Sequence, residues 1–279
     1  TALNVKRNGR LIIMTKTKEE LKKVEEILNN AIMKGMDVVT KEMPIEESAE
    51  HLVPNEKHVE TAIVAVSPSA EITKLFLEMG VSQIISGGQT MNPSADDFIK
   101  AFDAANADNV IVFPNNSNII LTAEQSAKLY EKSNVIVLKS KSVVEAYSAL
   151  SMASFDEGSV EEAVEGMKDC IEGVVSAEIS PAVRDSQNNG ISIKEGDYMG
   201  ILQHNIVSSS KNIMETIEEL LNKVPGLEEK SVLTVFYGKD ATQELRDDLQ
   251  HLIGDLFPML EMVEIEGNQT IYPLIFALE

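Results

Sequence analysis

Apolar runs alternate with amphipathic stretches in the middle of this chain. The runs, which predict buried strands, are at residues 62–66, 83–85, 110–113 and 135–138. The stretches between and after them place apolar side chains at helical spacing, and predict helices at residues 70–79, 96–105, 119–132 and 142–149. Strands that lack polar alternation and are separated by helices are typical of a parallel sheet covered by helices on both faces.

The pattern changes after residue 150. A helix predicted over residues 155–174, with Asp156 or Ser159 as its start, leads into short alternating segments around an Asn-Gly turn at residues 189–190. Further strands are predicted at residues 177–183, 191–193, 198–202, 206–208, 231–237, 262–265 and 271–278, with helices at 212–224 and 243–256. The fold class is therefore α/β in two lobes, a parallel-sheet lobe and an α+β lobe with a largely antiparallel sheet.

The chain is predicted to divide into four parts. Residues 1–45 read as a partial β-α-β piece, with a strand at 10–16, a helix at 18–34 and a strand at 36–40, and are too few to form a stable domain alone. Residues 46–60 are charged, contain Pro54, and read as a linker. Residues 61–150 and 151–279 are the two lobes.

Composition excludes several classes of function. The net charge of −21 argues against nucleic-acid binding and against an anionic membrane surface. The single cysteine, Cys170, excludes a disulfide framework, and the four histidines show no metal-ligand spacing and read as surface residues. No apolar run approaches 18 residues, so we expect a cytoplasmic protein without membrane insertion. The sequence has no Gly-rich phosphate loop of the P-loop type and no metal site.

A polar loop follows the second strand of the predicted parallel sheet. It contains Gly87 and Gly88, which allow positive φ or a close approach of backbone to a partner. Ser94 can cap the next helix, with Asp97 three residues on completing a capping box. Side chains beyond the carboxyl end of a parallel strand lie where α/β sheets bind ligands. The loop is therefore either a binding edge or a well-built turn.

Two further loops are predicted at the same edge of the sheet. Asn115, Asn116 and Asn118 follow the third strand, where their amides can donate, accept and tolerate left-handed backbone. Ser67 follows the first strand, and can contact a ligand or act in a simple helix cap. The candidate binding residues here are Ser67, Gly87, Gly88, Gln89, Thr90, Asn92, Ser94, Asn115, Asn116 and Asn118.

Several of these strings resemble a known family. GGQTMNPS at residues 87–94, FPNNSNII at 113–120, AEQ at 123–125, AVRD at 182–185 and IYPLIFALE at 271–279 occur in this order. The chain resembles the C-terminal region of the catalytic subunit of bacterial fatty acid kinase, a dihydroxyacetone-kinase-related family, from about residue 61 to 279. That region in turn resembles DegV-type proteins, which carry fatty acids. The resemblance adds Arg184 and Asp185 to the candidates, as a contact between lobes or with a partner; a structural ion pair is the alternative.

The resemblance implies a non-catalytic region that docks a DegV-type fatty-acid-carrier protein, with ATP and magnesium needed only in the family's separate kinase domain. The residues Met14-Thr15-Lys16-Thr17 stand where the family carries a His-x-His-Thr pattern, so no catalytic residue is assigned here. One alternative is a DegV-like protein that itself holds a fatty acid between its lobes. Another is a stand-alone degenerate homologue with a structural role. Homodimerisation stays open.

Overall fold

The computed structural model describes residues 4–7, 10–13, 50–152, 159–188 and 190–279. The chain divides into two compact units, Thr1–Glu46 and Glu47–Glu279. In the first unit, β1 (Asn4–Arg7) pairs antiparallel with β2 (Arg10–Ile13). β2 begins where the sequence predicts a strand, whereas β1 was not predicted. The predicted helix at 18–34 and strand at 36–40 lie outside the described residues.

A four-stranded parallel sheet forms the first lobe of the second unit. Its strands are β3 (Val59–Ser67), β4 (Gln83–Ser86), β5 (Ala107–Phe113) and β6 (Asn134–Val137), in the order β4-β3-β5-β6. The helices that follow them are α1 (Ala70–Glu78), α2 (Ala95–Ala105), α3 (Ser117–Leu129) and α4 (Val143–Met152). The predicted parallel sheet is confirmed, because all three strand pairs are parallel.

A six-stranded sheet forms the second lobe, in the order β11-β10-β7-β14-β12-β13. The strands are β7 (Val175–Pro181), β10 (Tyr198–Leu202), β11 (Asn205–Ser210), β12 (Val232–Tyr237), β13 (Glu261–Glu266) and β14 (Leu274–Leu278). A small hairpin of β8 (Ser186–Asn188) and β9 (Ile191–Ile193) lies beside it, and the helices are α5 (Val160–Gly173), α6 (Ile213–Leu221) and α7 (Gln243–Leu256). Among these six strands, β12 and β13 pair in parallel and the other pairs are antiparallel, so the largely antiparallel prediction is confirmed.

Three apolar clusters hold these layers together. One packs α2 and α3 on one face of the parallel sheet, and another packs α6 and α7 on the far face of the six-stranded sheet. The third includes Ile63 of the parallel sheet and Phe236 and Ile275 of the six-stranded sheet, with α1, α4 and α5 between them. Tyr147 of α4 meets Phe236 edge-on, with ring centroids 5.4 Å apart. The two lobes therefore share one core.

A preceding segment covers the outer edge of the parallel sheet. His51 exchanges two backbone hydrogen bonds with Ile84 of β4, at 2.9 and 2.8 Å. The buried Gln83 side chain accepts from the Val53 amide at 3.0 Å and donates to the Val53 carbonyl at 2.8 Å. Part of the predicted linker thus satisfies an edge strand that would otherwise expose unpaired backbone groups.

Replacing Phe236 tests the shared core. Phe236 is fully buried in the cluster between the sheets, so Phe236→Ala removes both its transfer free energy and its packing. We expect the free energy of unfolding to fall by about 3–5 kcal/mol. Urea unfolding followed by circular dichroism measures it. Val183→Ala, at an 84% exposed position, is the control and should change stability by less than about 0.5 kcal/mol. Equal stability of the two variants would contradict a shared core.

Candidate functional site

The strands of the parallel sheet end at one edge, and the order β4-β3-β5-β6 places a topological switch point between β3 and β5. Asn115 joins the two strands at this switch point. Its φ is 56°, its Nδ2 donates to the Val66 carbonyl of β3 at 2.8 Å, and its Oδ1 accepts from the Ser140 hydroxyl at 2.7 Å. Asn115 is buried and uses its amide within the fold. It builds the edge and does not present a side chain to a ligand.

Asn116 differs from its neighbour. Its Oδ1 accepts from the Asn118 amide at 2.8 Å and so caps α3. The residue is only 1% exposed, and its Nδ2 has no hydrogen-bond partner in the part of the chain that the structure describes. Asn118, two residues further along and the second residue of α3, is exposed. The asparagine cluster therefore divides into two buried residues that shape the edge and one that faces solvent.

Backbone hydrogen bonds order the loop between β4 and α2. The Gly87 amide donates to the Ser67 carbonyl at 3.0 Å, and the Gly88 amide donates to the Met91 carbonyl at 2.9 Å. Neither glycine has a positive φ. A Cβ on Gly87 would lie 2.7 Å from Pro93 Cγ and 2.8 Å from Val66 Cγ1. Gly87 is thus required for packing inside the loop, and a close approach to a partner is not needed to explain it.

The tip of this loop is exposed. Gln89, Thr90, Met91 and Asn92 all face solvent, and Ser94 begins α2. The predicted capping box is confirmed, because Ser94 accepts from the Asp97 amide while Asp97 accepts from the Ser94 amide at 2.8 Å. We call Gln89, Thr90, Met91, Asn92, Ser94 and Asn118 the Gln89 edge. Its polar groups sit on backbone that is already ordered.

The second lobe contacts the loops around this edge. Ser69 donates to the carbonyl of Gly267, and Asn268 Nδ2 donates to Glu71 Oε1 at 2.9 Å. The Gln89 side chain lies beside Tyr272, where it opposes the rise that burial causes in the pKa of the Tyr272 hydroxyl. Ser67 is fully buried, and its hydroxyl donates to the Ser69 carbonyl at 3.0 Å. Ser67 therefore supports the turn before α1, but it is not the helix cap, because Ser69 accepts from the Ile72 amide and caps α1. Gln89 brings the exposed tip next to Tyr272 of the second lobe.

A buried polar cluster lies where α4 meets β7. Glu145 of α4 accepts from the Lys141 amide at 2.6 Å, and its Oε1 lies 3.4 Å from His204 Nε2. Glu178 of β7 is 5% exposed. Burial raises the pKa of Glu178 to about 7, a rise to which Glu145 adds and which His204 opposes. The hydrogen bond to Glu145 raises the pKa of His204.

Sequence reasoning missed this cluster. His204 was expected to be a surface histidine, and the residue is exposed, but its side chain is 31% exposed and faces Glu145, a contact that the sequence did not predict. Glu178 alternates with Ala177 and Ile179 along β7, so its position reads as a solvated face. β7 lies between β10 and β14, and both faces of such a central strand are covered. The signal that could have revealed the cluster is the presence of a carboxylate, Glu178, in the middle of a central strand.

Arg184 and Asp185 do not pair with each other. The Asp185 carboxylate accepts from the Glu195 amide at 2.8 Å and from Lys194 Nζ at 3.1 Å, contacts that lower its pKa. Arg184 is exposed. β7 pairs with β14 so that Ile179 lies opposite Leu274, and the strand therefore leaves the sheet at the end where Tyr272 lies. The segment around Arg184 and the contact of Gln89 with Tyr272 therefore lie at the same end of the six-stranded sheet.

The described residues contain neither a cluster of metal ligands nor a helix that could span a membrane. No group of three His, Cys, Asp or Glu side chains is placed to hold a metal ion among these residues. No helix in this part of the chain is long and apolar enough to cross a membrane. Both findings extend to residues 4–7, 10–13, 50–152, 159–188 and 190–279 alone.

Comparison with known proteins identifies the family. Residues 62–279 match the profile of the FakA-like C-terminal family of fatty acid kinase. The chain belongs to this family. The resemblance inferred from the loop motifs is confirmed, and the FakA-like C-terminal region covers both sheets.

Relatives in Staphylococcus aureus are longer than this chain. Uncharacterized proteins of strains USA300 and MRSA252 are 37% and 36% identical to it over 226 residues, which are 81% of this chain and 41% of theirs. The chain thus spans about two fifths of the length of these curated relatives.

Solved structures show the fold. A DegV family protein of Corynebacterium glutamicum superposes with a TM-score of 0.58 at 11% identity, over 79% of this chain and 97% of that one. DegV of Bacillus subtilis, a fatty acid binding protein, gives 0.55 at 10% identity, over 78% and 98%. The fatty acid kinase (Fak) B3 protein of Streptococcus pneumoniae, loaded with linoleic acid, gives 0.52 at 12% identity, over 79% and 99%. The predicted DegV-like architecture is confirmed.

Substitution of Gly87 tests whether the loop depends on internal packing. Gly87→Ala forces a methyl group against Pro93 and Val66, and we expect it to lower the free energy of unfolding by about 1–3 kcal/mol. Gly166→Ala is the control, since a Cβ at this exposed α5 position meets no atom within 4 Å. It should raise stability by about 0.5–1 kcal/mol. Urea unfolding compares the two, and unchanged stability of Gly87→Ala would contradict the packing role.

Proposed function

We propose that this FakA-like C-terminal region is the docking module of a fatty acid kinase, and that it binds a DegV-type fatty-acid-carrier protein through the Gln89 edge. The observation that carries the proposal is the exposed, preorganised tip at residues 89–92, in a chain of this family. ATP and magnesium are assigned to parts of the kinase outside this chain. Recognition is the role that we assign to the chain itself.

The composition of the Gln89 edge suits a protein partner. Amide and hydroxyl groups surround Met91, whose side chain is 48% exposed. On α3, Leu121 is 62% exposed and lies one turn from Asn118, on the same helix face. Apolar anchors among polar groups are typical of protein–protein interfaces. The hydrogen bonds that order the loop beforehand reduce the entropy lost on binding.

The buried acidic cluster argues against the carrier alternative. Glu145 and Glu178 are both buried where the lobes meet, so an acyl carboxylate placed beside them would meet two acidic side chains. Two carboxylates in a region of low dielectric repel a third strongly. His204 and the exposed Lys141 are the cations that act on this cluster in the described residues. This arrangement favours docking of a loaded carrier over storage of a lipid.

The docking proposal predicts the effect of a double substitution. Gln89→Ala with Asn92→Ala removes two exposed amides, and should weaken binding of the fatty-acid-loaded carrier at least about tenfold, or about 1.4 kcal/mol. Isothermal titration calorimetry with the DegV-type carrier of the same organism measures this. Asn116 is unsuitable for this test, although its loop was a candidate, because its loss would remove the α3 cap at a cost of about 1 kcal/mol.

Gln243→Ala provides a matched control for this experiment. Gln243 opens α7 on the far face of the six-stranded sheet, and is exposed like Gln89. Its removal should leave carrier affinity unchanged. A double variant that binds normally but unfolds at a lower temperature would instead show that the loop is only a structural turn.

The lipid content of the purified protein distinguishes a docking module from a protein that itself holds a fatty acid. We expect protein purified from bacteria to carry no stoichiometric fatty acid, because no Lys, Arg or His among the described residues is buried to balance an acyl carboxylate. A real acyl tunnel would retain lipid, since burial of a tail gains about 0.8 kcal/mol per CH₂. Native mass spectrometry decides the question. One long-chain fatty acid per chain would support the carrier alternative.

A further inference from the structure

His204 occupies a backbone conformation that its residue type rarely adopts. It forms, with Gln203, the two-residue turn between β10 and β11, and the φ angles are 45° for Gln203 and 66° for His204. Turns of this kind favour Asn and Gly, since other side chains are strained at positive φ. The turn is held to the start of β7 by the Gln203 amide, which donates to the Ser176 carbonyl at 2.9 Å. With this backbone geometry, the imidazole of His204 lies against α4.

The contact joins the two lobes. His204 Nε2 lies 3.4 Å from Glu145 Oε1, and the Ser176 hydroxyl lies 3.5 Å from the same oxygen. Glu145 belongs to α4, which follows the parallel sheet, whereas His204 and Ser176 belong to the six-stranded lobe. Glu145 is 6% exposed. A protonated His204 would balance the charge of the Glu145 carboxylate, which is almost completely shielded from solvent.

A second buried carboxylate completes the cluster. Glu178 interacts electrostatically with both His204 and Glu145, and also with the Tyr272 hydroxyl on the side of the Gln89 contact. Lys141, which precedes α4 and is exposed, is the other charged group that acts on His204. The cluster therefore holds two carboxylates and one imidazole. It is neutral when both Glu178 and His204 carry a proton.

We infer that Glu145, Glu178 and His204 form a proton-operated latch, which holds the β10–β11 turn against α4 below neutral pH and releases it as the pH rises. Loss of the protons leaves two buried carboxylates beside a neutral imidazole. Repulsion between them and the cost of their burial then act against the closed turn. The latch does not depend on the proposed docking function.

The direction of the effect follows from proton linkage. Burial raises the pKa of Glu178 from 4.5 to about 7, and the Glu145 contact raises the pKa of His204 above 6.5. Both groups bind protons more tightly in the closed structure than in the open one. Their stabilisation is complete below the ordinary pKa values and is lost as the pH rises through the raised values. Closure should therefore weaken between about pH 4.5 and about pH 7 through Glu178, and further above pH 6.5 as His204 loses its proton.

Hydrogen exchange of the full chain tests the latch. Backbone amides of residues 198–210 should lose at least about tenfold in protection between about pH 6 and about pH 8.5, after correction for intrinsic exchange, since one pKa unit corresponds to tenfold. His204→Gln should show low protection at both pH values. The Glu178→Gln variant should retain more of its amide protection at the higher pH, because the side chain that replaces Glu178 is neutral at both pH values.

His58→Gln is the matched control. His58 is an exposed histidine that contacts Asp108 at 3.0 Å, outside the cluster, and the variant should lose protection with pH as the natural chain does. A second readout is the NMR titration of His204, whose midpoint should fall in Glu145→Gln. The latch is refuted if the natural chain shows equal protection at both pH values, or if His204→Gln keeps the full pH dependence.

Discussion

The layer of helices between the two sheets is the constraint on which the rest of the structure depends. α1, α4 and α5 contribute to an apolar cluster that includes residues of both sheets, and most of α4 is buried within it. In α4, Val143, Val144, Ala146, Ala149 and Leu150 are all buried. Since dispersion and the hydrophobic effect hold residues of both sheets in this cluster, the two lobes cannot separate without exposing this core.

This shared core determines where polar groups of the two lobes meet. Glu145 and Ser148 are the buried polar residues of α4, and Glu145 meets Ser176 and His204 while Ser148 donates to the carboxylate of Glu279. A buried polar group must find a partner or bear the cost of desolvation. The contacts between lobes at α4 are therefore specific, and they make the cluster around Glu178 sensitive to protons.

The candidate edge combines rigidity with exposure. Asn115 ties β3 to β5, Gly87 packs against Pro93, and Asn116 caps α3, so the residues with the fewest solvent contacts fix the backbone. The exposed Gln89 and Asn92 then project from a loop that needs no rearrangement. The Gln89 side chain lies beside Tyr272 of the other lobe and acts on its hydroxyl. A partner that engaged Gln89 would therefore also approach the lobe that carries Glu178.

Local patterns in the sequence were sufficient to predict most of the helices and strands of the two lobes, and the fold class. Helix α7 spans the residues predicted for it, and Ser94 with Asp97 forms the predicted capping box, because periodicity and capping depend on neighbours within a few positions. The motif at residues 87–94 also identified the family correctly. The sequence placed three polar loops at one edge because parallel strands end together.

Only the tertiary structure decided which of these residues face solvent. Asn116 and Ser67 are buried although they lie in polar loops, since the neighbouring strand and turn close over them. The contacts of His204 and Glu178 were not predicted because their partners lie far away in the chain: Glu145 precedes His204 by more than fifty positions. Burial and pKa depend on packing between distant segments, and no local pattern of hydrophobic and polar residues encodes them.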